Sequence, residues 1–165
     1  MKFLPKPKLY PKAHKSINIL GYHFKFIQLL IPETDKYGRA IKFQPQNQYK
    51  KSDREPHKYG NGYFCRFHVD VKNLSGVYVL IADNEPLYIG QTCDIYNRFN
   101  NSHYGSYGFI TPAAPFRQIT NCKINKLVLK YFEAHNPIKL YFMQTPEHKE
   151  IEKILLSQIK TPYNG

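Results

Sequence analysis

The sequence predicts an α/β fold built around an antiparallel hairpin, with elements in the order β-β-α-α-β-α. Two short apolar strands separated by turn residues predict the hairpin, and an apolar stripe at helical spacing predicts the longest helix. A third apolar strand followed by a capped helix completes the order. All of these elements lie in the C-terminal half of the chain, after a more basic N-terminal part.

The predicted hairpin carries two tyrosines near one end of the sheet. Residues 76–78 (GVY, ending in Tyr78) lie in its first strand, and residues 88–90 (YIG) lie in its second. Residues 83–86 (DNEP) are typical of a turn. Since residues 78–81 are an almost unbroken apolar run, we expect the first strand to be covered on both faces.

Two helices are predicted after the hairpin. Thr92 can cap a short helix over residues 93–101. A loop over residues 102–119 then leads to a longer helix, which begins at residue 120 or 121 and ends before residues 136–137 (NP). The apolar stripe of the longer helix comprises Ile124, Leu127, Val128 and Tyr131.

A third strand and a last helix complete this part of the chain. Residues 138–143 (IKLYFM) predict the strand. Thr145 and Pro146 suit the N-cap and the first helical position, and they predict a helix that ends near Ile159.

The N-terminal extension, residues 1–73, is predicted to pack against this module because no flexible linker separates the two. Residues 17–31 place apolar side chains at helical spacing and predict a helix, although Gly21 and a stretch of alternation leave a strand open. Residues 63–69 alternate enough to predict a short strand. Three prolines among five lysines in residues 1–15 predict an extended arm.

Composition excludes several classes of protein. A chain of 165 residues suits one domain or one domain with an extension, and 42% hydrophobic residues exclude a disordered chain. No apolar run is long enough to span a membrane, and the N-terminus lacks the apolar region of a secretory signal. Cys65, Cys93 and Cys122 have neither zinc-site nor disulfide-framework spacing, which indicates a reducing cytoplasm.

Positive charge is concentrated before the hairpin. Residues 1–75 hold fifteen Lys and Arg against five Asp and Glu, a net of +10, whereas residues 76–165 hold nine against seven, a net of +2. Basic residues interleaved with aromatic ones are typical of a surface that follows a phosphate backbone. The alternative is that the lysines solubilise an extension whose aromatic residues form its own core. The candidate DNA contacts in the extension are Lys6, Lys8, Lys12, Arg39, Lys50 and Lys51.

Four elements in order resemble the GIY-YIG nuclease superfamily, with the GVY and YIG pair as the first of them. The GVY and YIG segments match the motif for which the superfamily is named, and residues 94–99 (DIYNRF) are similar to its first helix and arginine. Residues 152–156 (EKILL) and 162–164 (PYN) are similar to its metal-binding glutamate and closing asparagine. The resemblance covers residues 74–165 and implies the GIY-YIG fold, a small, mostly antiparallel three-stranded sheet flanked by helices.

The resemblance implies hydrolysis of phosphodiester bonds, which needs a positioned water and positive charge around the phosphate. Tyr78 is then the base or water-orienting group, and Tyr88 is its supporting partner. Arg98 offers a fork to two phosphate oxygens, unless it pairs with Asp94 on the surface of its helix. Glu152 is the ligand of Mg²⁺ or Mn²⁺, which keeps much of its hydration shell. The competing interpretation of both tyrosines is that they are ordinary core residues of a hairpin.

Three further residues are candidates. Some members of the superfamily carry His or Tyr four residues after the arginine, whereas this chain has Ser102 at that position and His103 one residue later, so His103 is a proton relay at an altered spacing. Asn164 is expected to hydrogen-bond the site water, a phosphate or the neighbouring backbone. Lys123, near the predicted start of a helix, is a candidate phosphate contact, although a plain helix cap explains this segment equally well.

A basic extension directly before the catalytic half is most similar to the compact type II restriction endonucleases of the superfamily. The sequence therefore predicts a site-specific, divalent-metal-dependent DNA endonuclease in a bacterial or phage-type cytoplasm. One site per chain cuts one strand, so we expect a homodimer on duplex DNA. The alternatives are a nicking, single-strand-directed or mobile-element nuclease of the same superfamily, and a catalytically silent nucleic-acid-binding protein.

Overall fold

The computed structural model describes residues 10, 12–44, 57–101, 105 and 118–165. These residues form a mixed α/β fold in which helices flank a single antiparallel sheet. The strands are β1 Ser16–Ile19, β2 Tyr22–Leu29, β3 Gly76–Ala82, β4 Glu85–Thr92 and β5 Lys139–Gln144, and the helices are α1 Ile95–Phe99, α2 Ile119–Glu133 and α3 His148–Gln158.

The sheet has five strands in the order β1-β2-β5-β3-β4, so the prediction of three strands is wrong. The two additional strands come from the N-terminal extension, and β2 pairs with β5. The extension thus continues the sheet, which confirms the prediction that it packs against the rest of the chain. Because β4 is the last strand in this order, its outer edge has no neighbouring strand among the described residues.

The two added strands form a hairpin where a helix was predicted over residues 17–31. Leu20 and Gly21 have φ of 50° and 84°, as in a two-residue turn that matches the twist of its flanking strands. Leu20 lies in this turn with 49% of its surface exposed, so its fit to helical spacing was coincidental. Phe24 is fully buried between two exposed neighbours, so the alternation around it is the pattern that correctly indicates a strand.

The hairpin of β3 and β4 confirms the central prediction. All seven residues of β3 are buried, as expected for a strand covered on both faces. Asp83 and Asn84 form the turn with φ of 52° and 61°. Glu85 and Pro86, which were assigned to the turn, belong to β4, where proline is tolerated because the strand lies at the edge.

Two apolar layers cover the sheet. On one face, Tyr78 and Leu80 pack with Phe99 of α1 and with Ile124 and Val128 of α2. The opposite face packs mainly against α3. Its buried members include Val77, Val79, Ile89, Ile151 and Leu155. Successive residues of β3 therefore face different helices, and Tyr78 faces α1 and α2.

Helix boundaries differ from the predicted ones by a few residues. The cap of α1 is Asp94 rather than Thr92, because the Asp94 carboxylate accepts from the Asn97 N–H at 3.1 Å. Thr92 instead stabilises the preceding turn by accepting from the Asp94 N–H at 3.0 Å. Residues 63–69 form no continuous strand, since Phe64 makes only an isolated bridge to Phe43. Within the described ranges, no helix is long and apolar enough to cross a membrane.

Candidate functional site at the edge of β4

The two motif tyrosines lie side by side beneath α1. Tyr78 is 1% exposed, and its ring stacks on that of Tyr88 with centroids 6.2 Å apart and an interplanar angle of 28°. Phe99 of α1 meets the Tyr78 ring edge-on at 5.2 Å. Tyr88 is half-buried, so the pair extends from the core to the surface.

Gly90 leaves the space that the end of Tyr78 occupies. The two residues are direct partners across β3 and β4, and a Cβ at Gly90 would lie 2.3 Å from the Tyr78 hydroxyl oxygen. Gly76 is similarly confined, since its Cβ would lie 2.1 Å from the Met143 carbonyl oxygen. Neither glycine has a positive φ, so both are required by close packing rather than by backbone conformation. The Tyr78 hydroxyl consequently lies beside the edge strand.

The outer edge of β4 is hydrogen-bonded by C-terminal residues. The Asn164 carboxamide binds Ile89 twice, accepting from its N–H at 2.8 Å and donating to its C=O at 2.6 Å. The Tyr163 N–H donates to the Leu87 C=O at 3.2 Å. These contacts pair backbone groups on the side of β4 where the described part of the chain provides no strand. Asn164 therefore bonds the neighbouring backbone, which is one of the roles expected from the sequence.

Glu152 reaches the same edge from α3. Its carboxylate is close enough to the backbone N–H of Gln91, the residue next to Gly90, for that N–H to favour the charged form. Burial raises the pKa of the Glu152 carboxyl, while the Gln91 N–H and the positive charge of Arg98 act to lower it. Arg98 lies on α1 and Glu152 on α3, so two helices from different parts of the chain bring opposite charges together at this edge.

Asp94, the alternative partner of Arg98, is engaged in capping α1. Its carboxylate accepts from the Asn97 backbone and side chain and, at 2.8 Å, from the Asn73 side chain. Arg98 contributes to the charge around Glu152 and is half-buried. The Tyr78 phenol and the Glu152 carboxylate are thus associated with the neighbouring residues Gly90 and Gln91, and the positive charge of Arg98 acts on the carboxylate.

Lys123 supports the tyrosine pair from the side of α2. It is 8% exposed, its ammonium donates to the Tyr163 C=O, and it lies 5.8 Å from the Tyr88 ring centroid and 5.9 Å from that of Tyr59. Burial, together with the nearby charge of Lys58, lowers the pKa of Lys123. The structure therefore places this residue in an aromatic cage beside Tyr88, within α2 rather than exposed at its first residue.

His148 is a site neighbour that the sequence analysis missed. Its Nδ1 lies 2.6 Å from the Gln91 side-chain oxygen, and it precedes Glu152 by one helical turn. The spacing of four residues was visible in the sequence. The contact with Gln91 was not, because it depends on how α3 packs on β4.

The other predicted residues are spread widely. Lys12 is exposed, and Arg39 pairs with Asp35 at 2.8 Å in an exposed turn. In that turn Tyr37 is 64% exposed, with the ammonium of Lys36 and the guanidinium of Arg39 at 5.0 and 5.1 Å from its ring centroid. The remaining predicted site residues lie outside the described ranges. They are Lys6, Lys8, Lys50, Lys51 and His103.

The donor set limits what the site can hold. In the part of the chain that the structure describes, no group of three or more His, Cys, Asp or Glu side chains is arranged to bind a metal ion. A half-buried carboxylate at an accessible edge fits an ion that keeps most of its ligands as water. Neither Cys65 nor Cys122 is suited to act as a thiolate, because burial raises the pKa of both to about 12.

Comparison with protein-family models, with curated proteins and with solved structures gives no match. A functional assignment therefore depends on the residues at the edge of β4 and on their geometry.

Proposed function

We propose that the chain is a divalent-metal-dependent endonuclease of the GIY-YIG type that hydrolyses DNA phosphodiester bonds, in the manner of a site-specific restriction enzyme. The observation that carries the proposal is convergence at one edge strand. Tyr78 of β3 has its hydroxyl beside Gly90, Glu152 of α3 responds to the N–H of the next residue, Gln91, and the charge of Arg98 on α1 acts on Glu152.

Each side chain suits one requirement of phosphodiester hydrolysis. The Tyr78 hydroxyl orients the attacking water or accepts its proton, and the stacked ring of Tyr88 fixes the orientation of Tyr78. Arg98 binds two oxygens of the phosphate as charge develops on them. Glu152 holds Mg²⁺ or Mn²⁺, which supplies further positive charge at the phosphate when it is bound.

DNA is the proposed partner because the extension is strongly basic and the DNA backbone is negatively charged. Residues 1–75 carry a net charge of +10 out of +12 for the whole chain. The turn around Tyr37 adds an exposed aromatic ring between two cations, a combination that suits stacking with bases and contact with phosphates. A homodimer remains part of the proposal, since each chain contributes one such site.

The experiment is cleavage of supercoiled plasmid by the full chain in Mg²⁺, followed by sequencing of the cut ends. Recurrent ends at one short sequence are expected, and addition of a chelator should stop the reaction. Glu152→Ala should abolish cleavage while DNA binding persists, because the ion is needed in the transition state. Full activity in chelator, or in the Glu152→Ala variant, would overturn the metal assignment.

Tyr78→Phe tests the proposed role of the hydroxyl. The change keeps the stacked ring, so the fold should persist, while the cleavage rate should fall by about 10²–10⁴-fold. Single-turnover cleavage and thermal unfolding of the same preparation measure the two effects. A Tyr78→Phe rate above about half that of the unmodified chain would make Tyr78 purely structural.

A further inference from the structure

One residue of the edge strand, Gln91, contacts two side chains of α3. Its side-chain oxygen lies 2.6 Å from Nδ1 of His148, and its backbone N–H is close enough to the carboxylate of Glu152 to favour the charged form. Residues four apart on a helix are neighbours on one face, with Cβ atoms about 5–6 Å apart. His148 and Glu152 therefore lie side by side, and both are oriented by the same strand residue.

The contact with Gln91 fixes the tautomer of His148. A carbonyl oxygen can only accept a hydrogen bond, so Nδ1 must carry the proton and donate it. In the neutral ring, Nε2 then has a free lone pair. Metal-binding histidines commonly show this arrangement, in which the other ring nitrogen donates to a fixed oxygen that sets the orientation of the ring.

His148 and Glu152 do not form an ion pair with each other, so neither side chain neutralises the other. His148 is half-buried, as is Glu152. The carboxylate and the imidazole lie on successive turns of α3, and Gln91 is next to both. As two ligands of one ion, they leave its other coordination positions for water and phosphate oxygens.

We propose that His148, through Nε2, is a second protein ligand of the divalent ion that Glu152 holds, and that the site therefore prefers a transition ion such as Co²⁺, Zn²⁺ or Mn²⁺ to Mg²⁺. Imidazole nitrogen suits transition ions, whereas Mg²⁺ takes oxygen ligands almost exclusively. The inference rests on the metal site of the proposed function, but it concerns which ion is bound and by which atoms.

Calorimetric titration of the full chain with Co²⁺ and with Mg²⁺, in the absence of DNA, measures the preference directly. The chain should bind Co²⁺ more tightly than Mg²⁺. His148→Ala should weaken Co²⁺ binding by about 10–100-fold and change Mg²⁺ binding by less than about 3-fold. Glu152→Gln should weaken the binding of both ions.

Two further variants separate a ligand from a packing role. Gln91→Leu removes the oxygen that orients His148 but keeps the backbone N–H, and it should weaken Co²⁺ binding by about 10-fold or more. His23→Ala is the matched control, since His23 is bonded to Asn18 at an exposed position on β2, and Co²⁺ binding should not change.

Long-range ¹H–¹⁵N spectra of the histidine rings provide a readout that is independent of affinity. The His148 signal, identified by its loss in His148→Ala, should show the Nδ1–H tautomer in the metal-free chain and a shift of Nε2 on addition of Zn²⁺. Unaltered Co²⁺ affinity in His148→Ala, or an Nε2–H tautomer, would overturn the inference. If the metal pattern holds but DNA is never cut, the nuclease proposal fails and the metal site stands.

Discussion

At the scale of single residues, Tyr78 and Gly90 occupy complementary space. The ring of Tyr78 is buried between Tyr88 and Phe99, and its hydroxyl end extends over the position where Gly90 has no side chain. This gap in the edge strand leaves room for the buried phenol of Tyr78 beside residue 90. Glycine at this position is therefore part of the site, although it provides no reactive group.

Gly90→Ala should displace the Tyr78 ring and destabilise the fold. The added Cβ would lie 2.3 Å from the hydroxyl oxygen and 2.4 Å from Cζ, which the ring cannot accommodate without moving. We expect a loss of about 1–3 kcal/mol in the free energy of unfolding, measured with urea.

A double-mutant cycle identifies the cause. In a Tyr78→Ala background the Gly90→Ala change should cost almost nothing, because the conflicting atoms are gone. Gly165→Ala is the control, since nothing lies within 4 Å of its added Cβ, and it should change stability by less than about 0.5 kcal/mol. An equal cost of Gly90→Ala in both backgrounds would show that the contact is unimportant.

The charge of Glu152 should be unfavourable for folding at neutral pH. Its pKa is raised in the folded chain, chiefly by burial, so the stability linked to this group is present below about pH 4.5 and is lost as pH rises through the folded pKa. Glu152→Gln keeps an oxygen that accepts from the Gln91 N–H but carries no charge. Without metal, the variant should match the original near pH 4 and be more stable at pH 7.

Urea unfolding at the two pH values measures this difference. Glu150→Gln, an exposed change on the same helix, is the control for altered net charge. A Glu152→Gln variant that is less stable than the original at pH 7 would mean that the attraction of Arg98 outweighs the cost of burial.

At the scale of elements, the edge of β4 determines where the site lies. A strand edge exposes N–H and C=O groups that must find partners. Here the C-terminal segment provides them at Leu87 and Ile89, and the carboxylate of Glu152 lies near the N–H of Gln91. The covering of the edge and the placement of the carboxylate are therefore parts of the same arrangement.

Asn164→Ala should loosen this edge. The change removes two hydrogen bonds to Ile89, at 2.8 and 2.6 Å, and should cost about 1–3 kcal/mol. Hydrogen exchange of the Ile89 amide, followed by NMR, should become faster by more than the change in global stability explains. Asn101→Ala, at an exposed position, is the control. Unchanged protection of the Ile89 amide would show that water replaces the carboxamide without loss.

At the scale of the whole molecule, the basic extension and the motif-bearing part share one sheet. Pairing of β2 with β5 joins them. The residues just before β1 are held in place as well, since the Phe26 N–H donates to the Lys15 C=O at 2.9 Å. The Tyr141 hydroxyl also donates to the His14 C=O at 3.1 Å. A truncation that leaves His14 and Lys15 in place therefore preserves these contacts.

Removal of residues 1–12 should make DNA binding less dependent on salt. The deletion takes away four lysines, and each phosphate contact contributes about −0.9 to the slope of log K against log [salt] on duplex DNA. The slope, measured by fluorescence anisotropy between low and physiological salt, should become shallower by up to about 3–4. Cleavage at low salt should persist, because the edge of β4 is unaltered. An unchanged slope would show that this segment does not contact DNA.

Local patterns were enough for several predictions. The β3–β4 hairpin follows from two short apolar segments separated by turn residues, and α2 follows from an apolar stripe, so neighbouring residues decide both. The helix predicted over residues 17–31 was wrong because the apolar residues of this segment fitted both the spacing of a helix and the alternation of a strand. The choice between them depended on pairing with β5, more than a hundred residues away.

The sequence by itself determined the hairpin, the long helix, the position of the two tyrosines and the separation of charge along the chain, since each is a property of composition or of residues close in sequence. Only the tertiary structure decided that the Tyr78 hydroxyl lies beside Gly90, that His148 contacts Gln91, and that the Gln91 N–H and the charge of Arg98 act on Glu152. This placement depends on β4 being the outermost of the described strands and on α3 packing against it. Strand order and helix docking are set by non-local burial, which a linear pattern does not encode.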